Sequence, residues 1–95
     1  MRVNRKFVEG KFREFNREIF LGRLPELPVE ITGGRRQLGA FVYPVRRVRG
    51  RIVETGERNP KRCCLRMSAC FDMPQKEIED ILIHEMIHYY IWWTR

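Results

Sequence analysis

Apolar positions along this chain fall into three regimes. Between residues 3 and 21, Val8, Phe12, Phe15 and Ile19 recur at steps of four, three and four, the period of one helical face. Lys11, Arg13, Glu14, Arg17 and Glu18 take most of the other sides. An amphipathic helix over 3–21 is predicted, with Gly22 as its stop and Pro25 and Pro28 excluding its continuation. The period then shortens. Val29-Glu30-Ile31-Thr32 alternates and ends at Gly33-Gly34, and Leu38 to Tyr43 forms a second strand closed by Pro44. Val45–Val48 and Ile52-Val53 flank Gly50, which reads as a hairpin tip. Residues 54–61 read as loop. Arg62 to Ser68 is the last strand, with Cys63, Leu65 and Met67 on one face and Cys64, Arg66 and Ser68 on the other.

The third regime spans 73–93. It is apolar nearly all round, the pattern of a buried helix. Asp72 is the expected N-cap, and Gln75 three residues later completes a capping box. Pro74 fits the first turn, and Glu77, Glu79 and Asp80 favour the positive end of the helix dipole. Helix, strands, helix is the order of an α+β domain. We expect an N-terminal helix, a small antiparallel or mixed sheet of three to four strands, and a C-terminal helix, in one domain over 1–95.

Composition narrows this picture. The 43% hydrophobic content suits a globular chain rather than a disordered one. No apolar run reaches the ~18 residues of a membrane span. The charged N-terminus lacks the apolar core of a secretory signal. Cys63, Cys64 and Cys70 are then expected as reduced thiols in a cytoplasmic protein. No C-x-x-C spacing supports a zinc site built from them.

Charge is uneven. Residues 35–62 hold nine Lys/Arg against two Asp/Glu, an excess equal to the +7 of the whole chain. Arg35, Arg36, Arg46, Arg47, Arg49 and Arg51 lead this block. Arginine suits bidentate phosphate contacts, and a basic stripe is the footprint of a nucleic-acid binder. The same block reads equally well as a solvated hairpin whose charges keep the protein soluble.

The candidate chemistry lies in the last helix. His84-Glu85-Met86-Ile87-His88 is an H-E-x-x-H pattern, and these are the only two histidines in the chain. Residues four apart share a helix face, so both imidazoles can aim at one metal ion. Glu85, beside them, is placed to act on a metal-associated water without being a ligand. We expect Zn²⁺ on His84 and His88, with Glu85 catalytic. The bland alternative is a surface helix with two solvated histidines.

Several separated segments together resemble the SprT-like (Spartan-type) metalloproteases. They are Phe15-Asn16, Ile19-Phe20, Gly22, Leu24-Pro25, Gly39, Leu65 to Ser68, and Leu82 to His88, in the same order. Residues 44–62 match least. The resemblance implies a zincin-type fold, zinc on His84 and His88, and Glu85 as acid/base. It also implies proteolysis of proteins on DNA, including covalent crosslinks. One departure stands out. The family's third ligand is a downstream histidine, and this chain ends at Arg95 with no third histidine. A catalytic zinc takes about three protein ligands plus water. We therefore expect a piece of a longer protease. The competing readings are a non-catalytic nucleic-acid or protein-binding module with an incomplete metal site, and a peptidase of another H-E-x-x-H family.

Overall fold

The computed structural model describes residues 1–95. Its order is α1 (Arg5–Ile19), β1 (Val29–Thr32), β2 (Gly39–Val42), β3 (Val45–Val48), β4 (Arg51–Glu54), a 3₁₀ turn (Pro60–Arg62), β5 (Cys64–Ser68) and α2 (Gln75–Thr94). The α+β expectation holds, but five strands form where three to four were expected, and they divide into two sheets. One is three-stranded in the order β1-β5-β2; the other is the β3–β4 hairpin alone. β5 lies parallel to β1 and antiparallel to β2. The last strand in sequence thus becomes the central one.

Helix α1 begins where the Asn4 side chain accepts the Phe7 amide at 2.9 Å, satisfying one orphan donor. Val8, Phe12 and Phe15 are buried as the spacing required. Ile19 is not: it is 48% exposed, and Phe20 takes the inward place. The helix ends at Ile19, and Leu21 and Gly22 adopt positive φ of 56° and 71°. That reversal turns the neighbouring Phe20 into the core.

Helix α2 buries Ile78, Leu82, Glu85, Met86, Tyr89 and Trp92. These form one face, while Ile87 and Ile91 are exposed on the other. The helix is therefore two-sided, not buried all round. Its start also differs. Asp72 makes no cap; it pairs with the Met1 ammonium, which also donates to the Met73 carbonyl at 2.7 Å. That ammonium holds the Asp72 carboxyl below its ordinary range. Pro74 occupies the cap position with no side-chain hydrogen bond.

The core fills the space between the helices and one face of the main sheet. Leu65 and Met67 of β5 are fully buried, and Cys63 nearly so. Burial pushes the Cys63 thiol up to about 11. Phe41 of β2 stacks on Tyr89 at 5.2 Å and meets Trp92 edge-on at 5.6 Å. A polar clip joins the layers: Asn16 donates to the Leu24 carbonyl at 2.8 Å and accepts the Leu24 amide at 3.0 Å. The next residue, Pro25, accepts the Tyr89 hydroxyl at 2.7 Å. The clip thereby locks α2 against the end of α1. No helix is long and apolar enough to cross a membrane.

Candidate active site

The open side of α2 carries both histidines. His84 and His88 are exposed, one turn apart, with Nε2 atoms 3.1 Å from each other. Their rings meet at 84° with centroids 4.7 Å apart. Two imidazole nitrogens on one tetrahedral ion, each about 2.05 Å from it, stand roughly 3.3 Å apart. The observed pair fits two corners of such a site within a few tenths of an ångström. The same separation also lets one ring donate a hydrogen bond to the other. No group of three or more His, Cys, Asp or Glu side chains gathers to hold a metal. His84 and His88 are the two side chains whose spacing would suit a shared ion.

Glu85 packs against Gly39 of β2 and is only 8% exposed. No side chain in the structure gives its carboxylate a hydrogen bond or an ion pair. The buried side-chain atoms left without a hydrogen bond are Arg58 Nε and Arg66 Nε, so the Glu85 oxygens keep access to solvent. Glu85 lines a cleft of about 400 Å³ between β2 and α2, shared with Gly39, Phe41, Tyr43, His84 and His88.

Gly39 makes that approach feasible. A Cβ placed there would lie 2.7 Å from Ile81 Cγ2 and 3.2 Å from both Glu85 Cγ and Met67 Sδ. The pattern of apolar positions did not single out Gly39 as a packing position. A glycine inside a strand is itself the available signal, because it marks close backbone approach. β2 pairs with β5 on one side only, which leaves its other edge free beside the cleft.

The far wall is braced from the segment after the hairpin. Arg95 reaches Glu54 at 2.7 Å, Arg58 reaches it at 4.0 Å, and the Arg58 guanidinium stacks over Trp92 at 5.0 Å. Arg58 Nε, buried without a hydrogen-bond partner, lies in that stack, where cation–π attraction offsets part of the cost.

The arginine block does not form one surface. Arg35 and Arg36 lie in the β1–β2 loop. They border an open groove of about 810 Å³ on the sheet's other face, beside Thr32 and Arg66. The Ser68 hydroxyl donates to the Gly34 carbonyl at 2.6 Å and holds that loop in place. Arg46, Arg47, Arg49 and Arg51 sit on the β3–β4 hairpin. Arg58 and Arg62 are drawn into pairs with Glu54 and Glu57.

No curated protein and no solved structure matches this chain. The sequence profile of the SprT-like family matches residues 8–95. That span runs from the first buried residue of α1 through the sheet to the end of the helix bearing His84, Glu85 and His88. By that match the chain belongs to the SprT-like family.

Proposed function

We propose that this protein is a zinc-dependent metallopeptidase of SprT-like type, with His84 and His88 as metal ligands and Glu85 as the catalytic acid/base. The observation that carries the reading is the His84–His88 pair, set at the spacing of two ligands of one ion, with Glu85 lining the same cleft. Bound there, Zn²⁺ polarises a carbonyl and acidifies water. Glu85 accepts the proton of the attacking water and returns it to the departing amide nitrogen. Glu85 faces the same cleft as the two histidines. Phe41, Tyr43 and Trp92 form an apolar wall that limits water around it. The free edge of β2 receives the substrate as an added strand, through main-chain hydrogen bonds. Proteins held on DNA are the substrate class we propose.

The test pairs metal content with cleavage of an unfolded protein such as casein. Glu85→Gln should retain zinc and lose at least about 10²-fold in rate, the usual worth of a general acid–base. Alanine at His84 or His88 should lose zinc. Cleavage by Glu85→Gln at the wild-type rate refutes the assignment. A second reading, a binding module with an incomplete metal site, is favoured by the two-ligand set. Weak zinc binding and no cleavage would select it.

A further inference from the structure

The β3–β4 hairpin stands apart from the body. Every residue of β3 is exposed, as are Arg51, Ile52 and Val53 of β4. Val45, Val48, Ile52 and Val53 are thus four aliphatic side chains left without a core. A lone two-stranded ribbon is marginal in water. This one is held by its turn and its base. At the turn, Arg49 and Gly50 both adopt positive φ, 52° and 78°, the two-residue geometry that matches strand twist. At the base, Glu54 binds Arg95 and Arg58. Glu54 is the hairpin's one acidic residue and is already engaged. Arg46, Arg47, Arg49 and Arg51 have no ion-pair partner.

The register distributes these charges in an informative way. Arg46 faces Val53, Arg47 faces Ile52, and Val48 faces Arg51. Arg46 and Arg51 therefore lie on one face of the ribbon, Arg47 lies on the opposite face, and Arg49 sits at the tip. A membrane or a flat acidic surface is touched from one side. A ribbon charged on both faces and at its tip suits a slot with two anionic walls. Paired strands lie about 4.8 Å apart and four residues span about 13 Å. The major groove of B-DNA is about 12 Å wide, is walled by phosphates, and admits a two-stranded ribbon. The corresponding groove of A-form RNA is too narrow.

We propose that the β3–β4 hairpin is a DNA-binding arm that inserts into the major groove of duplex DNA. Arg46, Arg47 and Arg51 contact phosphates of both walls, and Arg49 leads at the tip. This extends the proposed DNA-associated substrates but does not depend on the metal site.

The test is fluorescence anisotropy with a labelled mixed-sequence B-DNA duplex of about 20 base pairs, from 50 to 200 mM salt. Three phosphate contacts give a log–log salt slope of about −2.7, a loss of roughly 40-fold in affinity over that range. The variant Arg46→Ala/Arg47→Ala/Arg49→Ala/Arg51→Ala should remove most of that slope. It should keep the wild-type far-UV spectrum, since the removed side chains are exposed. The charge-matched variant Arg5→Ala/Lys6→Ala/Arg17→Ala/Arg23→Ala should bind like wild type. The arm should protect guanine N7 from dimethyl sulfate, and an RNA duplex should bind at least tenfold more weakly. Equal losses in the two variants, absent N7 protection, or equal RNA affinity would overturn the arm. Glu85→Gln should bind DNA unchanged, so failure of the peptidase reading leaves this result separate.

Discussion

Replacing Gly39 by alanine tests how the cleft is built. Gly39 has no positive φ to preserve, so the effect is one of space. The added Cβ would sit 2.7 Å from Ile81 Cγ2, about 1 Å inside the best carbon–carbon separation. Ile81 is β-branched and sits on a helix, where its χ1 is stiff; it cannot swing clear as a long side chain would. Glu85 Cγ and Met67 Sδ, at 3.2 Å, close the other directions. Overpacking of this kind costs about 1–3 kcal/mol. Alanine regains roughly 0.5–1 kcal/mol of the entropy that glycine loses in a strand. The net expectation is a destabilisation of about 1–2 kcal/mol, or about 5–15 °C in Tm for a domain of this size. Urea unfolding followed by tryptophan fluorescence reads it, because Trp92 is buried in the same layer. Ile81→Ala removes the clashing methyl, so Gly39→Ala should cost less than about 0.5 kcal/mol in that background. Equal cost in both backgrounds, or no cost in wild type, would refute the reasoning.

Two further expectations concern the clip and the core thiol. Asn16→Ala breaks both bonds to Leu24 and should cost about 1–3 kcal/mol in urea unfolding; an unchanged midpoint would show that the clip is not structural. Cys63 has its folded pKa raised from 9.0 to about 11 by burial. Its contribution to stability is therefore full below pH 9 and is lost as pH rises toward 11. Cys63→Ala should flatten the fall of the urea midpoint across that window, and the native thiol should resist iodoacetamide at pH 8. A steep fall retained in Cys63→Ala would assign it to another group.

Much of this molecule was legible in the chain because periodicity records which face each element buries. The spacing of Val8, Phe12 and Phe15 marked the inner face of α1, and the alternation of Cys63, Leu65 and Met67 marked that of β5. The His84–His88 pairing followed from helix pitch alone. Other features depended on partners distant in sequence. Asp72 looked like a helix cap until the Met1 ammonium, a residue from the other end of the chain, claimed it. An apolar run concealed the two-sidedness of α2: Ile87 and Ile91 are as greasy as Leu82, and only the position of the sheet decides which of them meets it. Gly39 and Glu85 lie 46 residues apart, and nothing local to either shows that one is small so that the other can enter the cleft. The arginine block was plain as composition. Its division among a loop, a projecting arm and internal ion pairs came from strand register and from where Glu54 and Glu57 happen to lie. Local pattern determines the elements and their faces, because those follow from bond geometry and burial. Strand order, the empty neighbour of β2 and the pairing of charges are set only when the chain closes on itself.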